Sequence, residues 1–187
     1  MTKFFGNLHY VLVTGLVLAL IVIVAVPANT TMEQGVLRWL HLFFGVTWIG
    51  LLYYFNFVQI PTMPKIPAEL KPGVSKHIAP SALFFFRWGA AFTVLTGLVI
   101  AWRSQYLVEA LTLKPGFHLI GIGMWLALVM AFNVWFVIWP NQKKALGLVP
   151  AEDAVKAKAA TTAMMFSRTN TILSIPMLYC MINFNGG

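Results

Sequence analysis

Apolar residues run along this chain in long unbroken blocks rather than as a stripe recurring every three or four positions. Five blocks read as spans, at roughly 9–27, 36–60, 80–102, 117–139 and 163–183. Each is about 20 residues long, which as a helix crosses the hydrocarbon core of a bilayer. Backbone polar groups find no partner in lipid, so a crossing segment is a helix or a barrel strand. Blocks of this length without period-two alternation are helices. The predicted fold is all-α: one polytopic transmembrane domain over 1–187 with about five spans.

Proline and charge punctuate the blocks. Lys3, the apolar run and Val26-Pro27-Ala28 have the layout of a signal peptide, but Pro27 suits a small-x-small cleavage site poorly, and the block is read as a helix. Pro61, Pro64, Pro67, Pro72 and Pro80 predict a loop over 61–80 that is not helical throughout. Pro140 is expected to close the fourth span. Pro150 with Glu152 and Asp153 predicts a helix start that runs on into the fifth span, kinked at Pro176.

Composition agrees with a membrane chain. Hydrophobic residues make up 59% and charged ones 10%, where a soluble domain carries about a quarter charged. The net charge of +8 is spread over loops and is no nucleic-acid signal. One side carries Lys3, Lys65, Lys71, Lys76, Lys143, Lys144, Lys156 and Lys158, and the other only Arg38, Arg103 and Lys114. The positive-inside rule then predicts a cytoplasmic N-terminus and a C-terminus on the far side. Cys180, the single cysteine, excludes an internal disulfide, a cysteine-rich metal site and a CxxCH attachment of haem.

The second and fourth spans share the pattern H-L-x5-W-x6-F-N, as His41, Trp48 and Phe55-Asn56, then His118, Trp125 and Phe132-Asn133, 77 residues apart. Each is followed by a span with a lone arginine, Arg87 or Arg168, 46 and 50 residues after its histidine. Spans 2–3 and 4–5 are thus expected to form a parallel internal repeat about an axis along the membrane normal. Such symmetry would set His41 and His118 at equal depth, facing each other.

A histidine inside a span is costly without a partner. Two facing imidazoles suit the axial positions of a haem iron, so His41 and His118 are the candidate metal ligands of a non-covalent haem b. Gly45 and Gly121 share a face with their histidines and would admit a flat macrocycle, while Trp48 and Trp125 would wall the pocket. The plain alternative is an interfacial histidine and a glycine used for packing. Zinc or copper would need more ligands than two histidines. Arg87 and Arg168 lack any Asp or Glu within the spans, so haem propionates, an anionic substrate, a lipid phosphate or a partner chain would balance them, unless they snorkel to headgroups. Asn56, Asn133 and Asn170 lie at similar depth. His9 and His77 are weaker candidates for a second haem or a proton path. Tyr53, Tyr54, Trp88, Trp102 and Trp139 read as aromatic-belt residues.

The stretches LRWLHLFFGVTWIGLLYYFNFV (37–58), FFRWGAAFTVLTGL (85–98), FNVWFVIWPNQKK (132–144) and SRTNTILSIPMLYCM (167–181) resemble the membrane domain of the cytochrome c-type urate oxidase (urate hydroxylase) family. More distantly, Trp39-Leu40-His41 is similar to the W-x-H start of histidine helices in membrane haem proteins of the protoporphyrinogen-oxidase type. The resemblance implies a bacterial inner-membrane protein tied to redox chemistry. In the urate oxidase family a periplasmic cytochrome c domain follows the membrane domain and receives electrons from urate. Here Asn185-Gly186-Gly187 follows the fifth span without a CxxCH, so the expected chain keeps a haem scaffold without that acceptor.

The expected function is a membrane b-type haem protein for electron transfer, among membrane lipids, as a subunit or partner of a larger redox complex or a c-type cytochrome, without nucleic acid. The alternatives are a urate-hydroxylase-like oxidoreductase using a separate cytochrome c and a non-catalytic structural subunit.

Overall fold

The computed structural model describes residues 2–26 and 30–184, so Pro27 and Ala28 of the signal-like motif and the tail 185–187 lie outside the described residues. No strand occurs among them. After a helical turn, Thr2–Phe5, come helices α1 (Leu8–Ala25), α2 (Met32–Lys65), α3 (Lys71–Arg103), the short α4 (Leu107–Leu111), α5 (His118–Ala145) and α6 (Asp153–Asn183).

Four of these, α1, α2, α3 and α5, are long and apolar enough to cross a membrane. The expected fifth span, 163–183, lies inside α6, which is long enough but less apolar. Its polar residues explain the difference, because they turn inward. Ser167, Asn170 and Ser174 form a buried stripe with Ala159, Ala163, Met177 and Cys180, while Ile172, Ile175, Tyr179 and Ile182 face out. Small and polar residues inside, bulky apolar ones outside, is how helices pack when lipid is the solvent. The α6 start is as the sequence predicts: Glu152 precedes the first turn and Asp153 lies within it, where the dipole favours negative charge.

The proline-rich stretch is more helical than expected. The break between α2 and α3 covers only 66–70, and α5 continues past Pro140 to Ala145. Each helix copes in the same way. A π-helical turn, Tyr54–Gln59, Val74–Ile78 or Asn133–Ile138, ends two residues before Pro61, Pro80 or Pro140. In an α-helix the proline ring clashes with the carbonyl four residues back. Here that carbonyl, of Phe57, Lys76 or Phe136, lies in a widened turn, which closes with a bond to the fifth residue back, from Ile60 N to Phe55 O, Ala79 N to Val74 O or Trp139 N to Val134 O. α6 runs on through Pro176 without ending there.

α2 packs chiefly along α3, and α5 along α6, giving two hairpins. An Arg103–Glu33 ion pair of 2.6 Å joins the C-terminal end of α3 to the first turn of α2. The hairpins meet at α6. Asn56 Nδ2 donates to Ser167 Oγ at 2.8 Å, and Tyr53 Oη lies 3.0 Å from Ser174 Oγ. Asn133 Nδ2 donates to Asn170 Oδ1 at 2.8 Å, while Asn170 Nδ2 donates to the Met130 carbonyl at 2.9 Å. α1 buries no residue against this bundle.

Asn170→Ala removes one partner from two buried hydrogen bonds, so a loss of about 1–2 kcal/mol is expected in reversible unfolding from mixed micelles. Thr169→Ala, on the exposed neighbour, is expected to stay within about 0.5 kcal/mol of the parent; equal losses in both would refute the role given to Asn170.

Candidate functional site

Gly89, Thr93 and Gly97 recur every fourth residue on α3 and so share the face turned to α2. A methyl group on Gly89 would lie 3.2 Å from the backbone nitrogen of Trp48, and one on Gly97 would lie 2.9 Å from Cε1 of His41. The small residues therefore let α3 come close enough to seat the imidazole.

The seat orients the ring. His41 Nδ1 is 3.0 Å from the Thr93 carbonyl oxygen and 3.2 Å from Thr96 Oγ1, whose own hydroxyl donates to Phe92 O at 2.6 Å. A carbonyl only accepts, so Nδ1 carries the proton and donates. Nε2 is left as an unprotonated nitrogen with no hydrogen bond among the described residues, on a half-buried ring.

His41 lines a cavity of about 560 Å³ between α2, α3, α5 and α6. Arg38, Gly45, Trp48 and Tyr53 share its α2 wall; Thr93 and Gly97 come from α3, Met124 and Ala127 from α5, and Met177 and Met181 from α6. Leu42, Val46 and Ile182 belong to the lining and are also exposed on the outer face, so the cavity opens sideways between α2 and α6. The volume falls within the range of small-molecule and cofactor sites, about 300–1,000 Å³. The walls are almost wholly apolar, and the lining residues with polar side-chain atoms are few: Arg38, His41, Trp48, Tyr53 and Thr93.

The structure brings His41, Gly45 and Trp48 together on this cavity, and a methyl on Gly45 would meet only Thr93 Cγ2 at 3.8 Å. It does not bring their counterparts in the fourth span there. His118 is exposed at the first turn of α5, and none of His118, Gly121 and Trp125 lines the cavity. The cause is α4, which has no equivalent before α2. Gly121 packs directly on the Ala110 carbonyl, and Trp125, 48% exposed, donates its indole N–H to Leu111 O at 3.0 Å. Trp48, by contrast, is 0% exposed and its N–H has no acceptor among the described residues. Asn56 and Asn133 are both buried, but the environments of the two histidines differ.

The arginines also differ. Arg87 stacks its guanidinium 3.4 Å from the centre of the Trp139 ring, with Nη1 buried and unpaired, whereas Arg168 is exposed without a hydrogen bond among the described residues. The ring face offers Arg87 partial compensation that the sequence reading sought from an anion. Neither lines the cavity. His9 and His77 are exposed. Trp139 and Tyr53 are more than belt residues, one stacked on Arg87 and the other bonded to Ser174. Sequence reasoning missed Arg38, Thr93, Thr96, Gly97 and the methionines. The Gly89-x3-Thr93-x3-Gly97 spacing was the available signal for the first wall; the methionines, split between two helices, had none.

No curated protein and no solved structure matches this chain. A family model described as Urate oxidase N-terminal matches residues 108–185, from α4 through α6, which covers the stretches 132–144 and 167–181 and leaves 37–58 and 85–98 outside it. Over those residues the chain is similar to the urate oxidase N-terminal family, in keeping with the resemblance read from the sequence.

Proposed function

We propose that this chain is a membrane b-type haem protein for electron transfer, a subunit or partner of a larger redox assembly, with His41 as an axial ligand. The observation that carries the reading is the imidazole itself. A metal-bound histidine typically donates its other ring N–H to a carbonyl or carboxylate, which fixes the tautomer and raises ligand basicity. His41 has that arrangement through Thr93, and the residue lines an apolar cavity of cofactor size.

The remaining residues fit the same occupant. Gly45 leaves the α2 wall open to a flat ring, and Arg38, three residues outward from His41, offers a guanidinium at the rim for a propionate. The apolar walls exclude water and lower the local dielectric, two levers on redox potential. Haem would supply the one-electron centre; the protein supplies binding, orientation and electrostatics. The setting is a bacterial inner membrane with a cytoplasmic N-terminus and a periplasmic C-terminus, supported by the distribution of Lys and Arg. The match over 108–185 favours a second reading, urate oxidation with electrons passed to a separate cytochrome c. Urate-dependent reduction of added cytochrome c by membranes holding the chain would distinguish it.

Purified protein is expected to show a Soret band. His41→Ala and Gly97→Val, which deletes or displaces the imidazole, should each lower haem affinity by about 10–100-fold. No Soret band, or one unchanged in His41→Ala, would remove the haem reading. An alkaline phosphatase fused at the C-terminus is expected to be active; inactivity there, with activity in a fusion at the 66–70 break, would reverse the orientation.

A further inference from the structure

We infer that the thioether of Met181 would hold the haem iron together with His41; this rests on the haem reading above. A bis-histidine site within one chain needs His118 in the cavity, and His118 is outside it. The cavity's own donors narrow the choice. The Arg38 guanidinium and the Trp48 N–H have no lone pair to give. Thr93 Oγ1 donates to Gly89 O at 2.7 Å, and the Tyr53 hydroxyl is engaged with Ser174. Sulfur is what remains, from Met124, Met177 and Met181.

Level and freedom select among these. The His41 ring rests on Gly97, and the next residue, Leu98, packs in one cluster with Ile120, Met124 and Met181. Those two side chains therefore lie near the level of the imidazole, on the walls made by α5 and α6, while Met177, 5% exposed, is built into the inner core around Trp48 and Leu52, against which Met181 also packs. Met124 is 8% exposed and enclosed, whereas Met181 is only partly buried. The Met181 methyl lies 3.4 Å from where a side chain on Gly123 would begin, so the missing side chain is what seats the end of the thioether against α5. Methionine is common as a flexible gap-filler, and the experiment has to separate that use from ligation. A histidine–methionine pair raises the reduction potential, as in cytochromes c, and fits a chain that accepts electrons.

The test is spectroscopic and uses the full-length protein in detergent. Ferric wild type is expected to show the weak long-wavelength band of a thioether bound to iron, and ferrous wild type to bind CO weakly. Met181→Leu keeps the volume, so the bundle and the Soret band should survive while the band is lost. CO affinity should then rise by at least about tenfold, since the sixth position no longer has to be vacated. His118→Ala should change neither property. A band that persists in Met181→Leu, that is lost instead in Met124→Leu or His118→Ala, or that wild type lacks despite bound haem, overturns Met181 as ligand and leaves the haem reading standing. A wild type without a Soret band removes the haem reading itself, so the two failures are told apart.

Discussion

The close approach of α2 and α3 is the contact on which the rest of this structure depends. In lipid, helices gain little from hiding apolar surface from one another, and association relies on dispersion and hydrogen bonds at short range. Gly89, Thr93 and Gly97 make that range available. Gly89 brings backbone against the backbone of Trp48, and Gly97 makes a recess for the His41 ring. Once the helices are that close, the Thr93 carbonyl is within reach of Nδ1, and the direction of the other nitrogen follows. A wider seam would leave the histidine to solve its hydrogen bonding elsewhere.

α6 plays the complementary part. Its buried stripe binds Asn56 and Tyr53 of one hairpin and Asn133 of the other, so the polar contacts that α6 makes gather in the half of the bundle away from Arg38. In the other half α6 meets its neighbours through apolar contacts around Leu98, Ile120 and Met124, and it is there that it stands apart from α2 around a cavity. Tight polar closure at one end and an apolar opening at the other are two results of where α6 keeps its serines and asparagines.

Much of this was legible in the sequence. Block length gave the helices, and the acidic start at Glu152 and Asp153 gave the beginning of α6. The inside-out polarity of α6 was not legible, because hydropathy counts residues without knowing which face they occupy. The two asparagines of the H-L-x5-W-x6-F-N pattern are both buried, yet the pattern implied a shared setting for His41 and His118 that the structure does not keep. Five residues of α4 changed the neighbours of Gly121 and Trp125, and nothing in the matched letters records them. Prolines misled for a different reason. As letters they forbid a helix, but three of them follow a widened turn that removes the clash.

Those widened turns have a consequence for anyone comparing or editing this chain. A π turn holds one residue more than the α-helix it replaces, about 100° of rotation at 3.6 residues per turn. A helical wheel drawn straight through Tyr54–Gln59 or Asn133–Ile138 is therefore out of phase for every position beyond it. Deleting a single residue there would restore the ordinary winding and swing the segments beyond the turn onto a different face, leaving the composition almost untouched.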